Sequence, residues 1–319
     1  MTTGNMNHSS VTEFILLGFS LSQDKRFYLF TIFLVIYLLT LMANVMIIIL
    51  VYSDLRLHSP MYMLLGNFSF LEICYTAVTV PKMLSDLIGG NKSISVAGCI
   101  TQYHFFSLCA ATEHFLLVIM AYDRYVAICY PLHYGGIMSN AFCLKLILSC
   151  WLISAVSLTI PALSVSELNF CGPNIIDHFF CEFNPLLKLS CTDTYVVQFI
   201  FNCLSWIIIM GCLMCIAVSY TNIIVTVINI PSNYGKRKAF STCASHLLVV
   251  GIFYGTVIFI YLRPTVDSPF HQNKFVSVFY IVVTPMLNPI IYSFKNESLR
   301  KAAVNLIERI TAHTSERDI

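Results

Sequence analysis

Charge is scarce in this sequence. Asp, Glu, Lys and Arg make up 11% of its 319 residues, where soluble domains carry about 25%. That is too little to cover a soluble sphere, which excludes an ordinary cytosolic enzyme and a disordered chain. The net charge is only +2, so nothing implies a polyanionic partner such as a nucleic acid. Catalytic motifs are missing too. Neither His-Glu-x-x-His nor Gly-x-Ser-x-Gly occurs, so an intramembrane enzyme has no visible catalytic group. A transporter would show an internal repeat or broken helix pairs, and neither is found. Residues 1–26 are polar and lack an apolar core. No cleavable signal peptide is expected there, and the first helix would serve as its own insertion signal.

Apolar sequence is what the chain has in quantity. Hydrophobic residues make up 57%, and the mean hydropathy is +0.77. A membrane-crossing helix needs about 20 apolar residues. Residues 27–53, 146–166, 194–235, 239–262 and 275–294 contain no Asp, Glu, Lys or Arg. The stretches around 59–88 and 98–129 are equally apolar, but each carries an acid deep within it, Glu72 and Glu113. These runs are far longer than the roughly 10-residue strands of a membrane barrel. The expected fold is an all-α membrane protein with seven transmembrane helices at residues 27–294. Residues 1–26 would form an extracellular segment, 166–196 a long outer loop and 295–319 a cytoplasmic tail.

Positive residues set the orientation. With the N-terminus outside, eleven lie inside: Arg56, Arg124, Lys145, Lys236, Arg237, Lys238, Lys295, Arg300, Lys301, Arg309 and Arg317. Seven lie outside: Lys25, Arg26, Lys82, Lys92, Lys188, Arg263 and Lys274. Asn7-His8-Ser9 is an N-glycosylation acceptor on the outer side, favoured over the triplets at Asn67, Asn91 and Asn296. Nine of the 13 cysteines lie in or at the inner ends of helices, as small buried hydrophobes. The other four, Cys99, Cys171, Cys181 and Cys191, fall outside, where disulfides persist. Four cysteines allow three connectivities, and spacing alone does not choose.

Residues 120–129 read Met-Ala-Tyr-Asp-Arg-Tyr-Val-Ala-Ile-Cys at the inner end of the third helix. An Asp123–Arg124 pair there is costly unless used. Asn288-Pro289-Ile290-Ile291-Tyr292 ends the seventh, and its proline opens the hydrogen-bond ladder. Further segments are Leu-His-Ser-Pro-Met-Tyr (57–62), Val-Pro-Lys-Met-Leu (80–84), Pro-Leu-His-Tyr (131–134), Ser-Tyr (219–220), Lys-Ala-Phe-Ser-Thr-Cys-Ala-Ser-His-Leu (238–247), Phe-Tyr-Gly-Thr (253–256) and Pro-Met-Leu-Asn-Pro-Ile-Ile-Tyr-Ser (285–293). With the triple-cysteine outer loop they cover about residues 10–305. In these segments the chain resembles the olfactory (odorant) receptors, which are rhodopsin-like G-protein-coupled receptors. One departure is Ala43-Asn44, where the family has Gly-Asn.

The resemblance implies bridges Cys99–Cys181 and Cys171–Cys191. It implies that Asp123 holds Arg124 in the inactive state, beside Tyr125. On activation the inner end of the sixth helix, near Lys236-Arg237-Lys238, would swing out, and Arg124 and Tyr220 would meet a heterotrimeric G protein of the stimulatory, olfactory type. Glu72 and Glu113 read either as two protonated, hydrogen-bonded acids or, as the resemblance implies and as is favoured here, as a shared sodium site; no other cofactor is expected. His104 and His114 are read as packing or hydrogen-bonding residues. The ligand would sit in the outer half of the bundle, against faces of residues three or four apart. Those are Tyr103, Phe106, Ser107, Ala110 and Ala111; Phe201, Asn202 and Ser205; Tyr254, Val257, Ile258 and Tyr261; Val278 and Ile281. This lining is apolar with a few hydroxyls, suited to a small volatile of low charge. An amine receptor of the superfamily would need an acid where Phe106 stands. Ser107 and Arg124 are about 26 Å apart along the helix, so no ligand touches both.

Residues 296–310 read as a short amphipathic helix on the inner membrane surface, with Leu299, Ala302, Ala303, Leu306 and Ile310 on one side. It contains no cysteine for a palmitoyl anchor. Residues 311–319 are polar and expected to be mobile. The implied location is the plasma membrane of olfactory sensory neurons, in contact with membrane lipid. The alternative is a receptor of the same superfamily for a non-volatile metabolite outside the olfactory epithelium.

Overall fold

The computed structural model describes residues 11–19, 21–171, 173–261, 274, 276–294 and 296–317. The side chains of Lys238, Ile260, Tyr261, Phe294 and residues 309–317 also lie outside the described set, as does Asn7.

Seven helices are long and apolar enough to cross a membrane. They are α1 (Gln23–Ser53), α2 (Pro60–Ile88), α3 (Val96–Cys129), α5 (Asn140–Ser166), α7 (Tyr195–Ile228), α8 (Asn233–Tyr261) and α9 (Val276–Ser293). Between them lie the short helices α4 (Tyr134–Ile137) and α6 (Phe183–Leu187), and α10 (Glu297–Arg317) follows. Within α9, Phe279–Val283 is wound as a π-helix before the α-helical Thr284–Phe294. Helices dominate because the hydrocarbon offers backbone groups no partner outside the segment. Several overshoot it: the 31 residues of α1 reach about 46 Å against a core of about 30 Å. That is why α1 starts at Gln23, four residues before the uncharged run, and carries Lys25 and Arg26 at its outer end.

Local signals set the ends. Ser95 and Ser139 cap α3 and α5, their hydroxyls accepting from Gly98 N at 3.1 Å and Phe142 N at 3.2 Å. Gly89 closes α2 at φ +97°, a conformation that favours glycine. The α3 helix is the hub, packing on α2, α5, α7 and α8. The α10 helix buries Leu299 and Ala302, with Ala303 and Leu306 against the same core. It runs to Arg317, past the expected end at residue 310. Asn67, expected to lie in a helix, accepts from Trp151 Nε1 at 3.2 Å inside the bundle.

The outer face carries a feature absent from the sequence reading. Strand β1 (Glu13–Leu16) pairs antiparallel with β2 (Ser93–Ser95) and parallel with β3 (Ile175–Ile176). Phe14 and Leu16 alternate inward and are fully buried in an outer core with Tyr103, Phe170 and Phe183. Lys274 clasps this cover to α9. Its buried Nζ donates to Gly18 O at 2.9 Å and to Asp177 Oδ1 at 2.5 Å. Cys99 is bonded to Cys181 and Cys171 to Cys191, with Cα separations of 5.4 and 5.9 Å. Gln102 reinforces the first bridge. Its Oε1 accepts from Cys181 N at 2.9 Å, and its Nε2 donates to Val78 O at 3.0 Å.

The bridges close chain separations of 82 and 20 residues. Loop-closure entropy makes them worth about 4.5 and about 3.3 kcal/mol. Thermal unfolding in detergent should therefore show a larger fall in Tm for Cys99→Ser than for Cys191→Ser. Equal losses would contradict this account.

Candidate functional site

The outer half of the bundle is filled by rings, and the long loop supplies several of them. Phe106 on α3 has Phe180 at 4.9 Å, Tyr75 at 5.2 Å and Tyr280 at 6.1 Å between ring centroids. Four separate segments meet in that cluster. Nearer the surface, Tyr103 packs on Phe183 at 5.6 Å and Phe201 at 6.2 Å, and Phe183 stacks on Phe201 at 3.8 Å. Phe179 and Phe180 are buried. Reading helix faces missed Phe179, Phe180 and Phe183, because a loop has no period from which to tell its inner side. The Cys181 bridge was the one available signal that this stretch is pulled down onto α3.

The remaining lining residues divide. Ser107, Ala110 and Ser205 are half-buried, and Ala111 is buried. Val257 and Val278 pack against the main core, and Ile281 is fully enclosed in it. Tyr254 is buried with its hydroxyl 3.0 Å from His114 Nδ1, tying α3 to α8. Asn202 and Ile258 are exposed instead of lining a pocket. Each follows an inward-turned neighbour, Phe201 or Val257, by one residue, which is about 100° around a helix. The Tyr261 side chain lies outside the described set.

His178 lies beneath the loop, between Phe179 at 4.6 Å and Phe180 at 4.6 Å. Burial, with the Lys274 charge nearby, pushes its imidazole down to about 3, against a weaker pull from Asp177. His178 is therefore neutral at physiological pH, and its 3.6 Å approach to Glu182 is not an ion pair.

The buried acids Glu72 and Glu113 lie deeper, close enough for their charges to interact. Asn288 Nδ2 donates to Glu72 Oε1. Asn44 Nδ2 donates to Thr40 O at 2.9 Å and Pro285 O at 3.4 Å, joining α1 to α9. The amide oxygens of Asn44 and Asn288 are buried with no hydrogen-bond partner. Among the described residues no three His, Cys, Asp or Glu side chains gather around one point. The carboxylates of Glu72 and Glu113 and the unpartnered amide oxygens of Asn44 and Asn288 are oxygen donors of the kind that fits a hard cation.

At the inner end the Asp123 carboxylate meets Arg124 at 2.9 Å and accepts from Tyr134 OH at 2.7 Å. Asp123 is 1% exposed, so both partners offset a costly burial. Tyr220 OH lies 2.7 Å from His246 Nδ1, and His246 Nε2 lies 3.1 Å from Leu117 O. A carbonyl only accepts, so Nε2 carries the proton, Nδ1 accepts, and Tyr220 donates. One imidazole thus links α3, α7 and α8. Tyr292 packs edge-on to Phe68 at 5.9 Å, its hydroxyl buried and unpartnered. Tyr125 points elsewhere, its hydroxyl 3.4 Å from Tyr130 OH. Pro289 lies within the last turns of α9. A cavity of 450 Å³ opens here, lined by Asp123, Arg124, Arg237, Ser241, His246 and Tyr292 against an apolar wall of Leu64, Leu65 and Met120.

His246→Phe would break both bonds and strand the buried Tyr220 hydroxyl, at a cost of about 1–3 kcal/mol, while the Leu117 carbonyl keeps its partner within α3. Tyr220→Phe leaves His246 Nδ1 without a donor, but it breaks only one of the two bonds and keeps the tie between His246 and Leu117. Thermal unfolding of the solubilised protein should rank His246→Phe well below Tyr220→Phe. The reverse order would refute the assigned bonding.

Comparison with known proteins matches the sequence to one family. A family model described as "Olfactory receptor" matches residues 33–309. The chain is 49% identical over 298 residues to human "Olfactory receptor 6Q1", covering 93% of this chain and 94% of that protein. It is 47% identical over 305 residues to human "Olfactory receptor 11H4", covering 95% and 94%. It is 42% identical over 301 residues to "Olfactory receptor 1468" of Rattus norvegicus, covering 94% and 96%. Each of these alignments covers almost the whole of this chain and of the relative. The chain therefore belongs to the olfactory receptor family, multi-pass membrane receptors that couple to G proteins and are not enzymes.

Proposed function

We propose that this receptor detects small, mostly uncharged volatile molecules in the outer half of its bundle and activates a stimulatory, olfactory-type G protein, raising cyclic AMP. Its place would be the plasma membrane of olfactory sensory neurons. The observation that supports the ligand class is the ring cluster at Phe106, where Tyr75, Phe180 and Tyr280 converge. Ring faces reward an apolar or aromatic guest, and Ser107 offers a hydroxyl to orient it. A cationic ligand would be desolvated against Phe106 with no acid beside it.

The G protein would enter at the inner cavity. Ligand and transducer are too far apart to share a contact, so coupling is a bias on a two-state bundle. In the arrangement described, Arg124 is held by Asp123, and Tyr220 by His246. An outward swing of the inner end of α8 would carry His246 away from Leu117, free Tyr220, and leave Arg124 to face the cavity. Glu72 and Glu113, helped by the amide oxygens of Asn44 and Asn288, would hold a sodium ion. The ion would supply positive charge to two buried acids and so favour the inactive packing.

Cells co-expressing the receptor with the olfactory stimulatory G protein should raise cyclic AMP to some members of a volatile panel. Arg124→Ala should abolish that response at equal surface density. Silence of the well-expressed wild type across the panel would overturn the volatile reading. For the cation, replacing sodium with choline should lower the Tm of purified receptor, while Glu113→Gln should remove this dependence. A sodium effect that survives in Glu113→Gln would place the ion elsewhere.

A further inference from the structure

The covered outer face leaves the question of how an apolar molecule reaches the rings. Among the described residues, from the aqueous side it meets the β2-β1-β3 sheet, the buried Phe179 and Phe180, and the Lys274 clasp. On the lipid side, near the outer ends of α8 and α9, a groove of 530 Å³ is lined by Ile252, Gly255, Thr256, Phe259, Val276 and Phe279. Five of these are apolar, and Thr256 adds one hydroxyl that donates to its own helix at Ile252 O, 2.7 Å away. A Cβ built on Gly255 would meet nothing within 4 Å.

Two groove residues are followed or preceded in the chain by residues that face the bundle interior. Tyr254, hydrogen-bonded to His114, precedes Gly255, and Tyr280, packed on Phe106, follows Phe279. Phe279 and Tyr280 also open the π-wound stretch of α9. Such winding departs from regular helix packing and is frequent at functional sites.

We propose that the groove between α8 and α9 is a binding and entry site for a small neutral apolar ligand dissolved in the bilayer. Such molecules concentrate in hydrocarbon, and a wall whose described residues carry no charge and one satisfied hydroxyl matches them. The inference rests on the proposed volatile ligand class.

The test is photolabelling of the full receptor in phosphatidylcholine vesicles with a diazirine-tagged decanol. The expected result is label on Gly255, Thr256 and Val276 that unlabelled decanol displaces. Gly255→Trp should weaken this saturable label about ten-fold, equivalent to ~1.4 kcal/mol. Leu152→Trp, on the exposed face of α5, should leave it unchanged. If Gly255→Trp fails to fold, Val276→Trp blocks the opposite wall and should act alike. Label that is non-saturable and equal on the α5 face would mean acyl chains alone fill the groove, and would overturn the proposal. Displaceable label confined to the Phe106 cluster and insensitive to both variants would overturn it as well. Labelling does not depend on signalling. A labelled groove in a receptor silent to every volatile would sustain the site and defeat the volatile reading, and a responsive receptor with an unlabelled groove would do the reverse.

Discussion

Inside hydrocarbon no water is available to satisfy a polar group, so each one must be answered from within the protein. That constraint makes the spanning segments helical, and it governs where the few polar side chains go. Asp123 is held by Arg124 and Tyr134, Asn67 by Trp151, Tyr254 by His114, and Tyr220 by His246. Nearly every such tie crosses between helices. With so little charge in the chain, these contacts define which packing of the bundle is preferred, since apolar helix faces meet lipid and protein on similar terms.

The two ends of the molecule use this constraint differently. At the outer end, water is near, and β1, β2 and β3 pair their edges into a sheet over the bundle. Its inner face buries Phe14 and Leu16, and two disulfides and Gln102 fix the loop beneath it. The result is a cover whose aromatic underside forms part of the proposed ligand region. At the inner end the polar groups are arranged around a cavity. One imidazole, His246, joins three helices there, and Tyr292 keeps an unused hydroxyl. An arrangement tied by single hydrogen bonds of about 1 kcal/mol each can be rearranged at modest cost, as a switch requires.

The proposed ligand region at the outer end and the cavity at the inner end share α3, which packs on α2, α5, α7 and α8. Phe106, Glu113, His114, Leu117 and Arg124 follow one another down this helix. Each contacts or acts on a different neighbour: a loop ring, a second acid, Tyr254, His246 and Asp123. A change in how α3 sits is therefore felt at both ends without any ligand spanning the distance.

The seven spans, the acids within them, the Asp123–Arg124 pair and the division of the cysteines were legible in the sequence. Each depends only on local residue type and on the length of an apolar run. The small-residue helix faces were read less well. Asn202 and Ile258 turn outward because lipid and protein interior are both apolar, so hydropathy does not fix how a helix is rotated. The sheet was invisible because its strands are two to four residues long and come from three distant segments. Phe179, Phe180 and Phe183, the double bonding of Gln102, and the joining of Leu117, Tyr220 and His246 were likewise decided by tertiary structure alone. They depend on which segments are brought together, and that follows from packing the whole bundle.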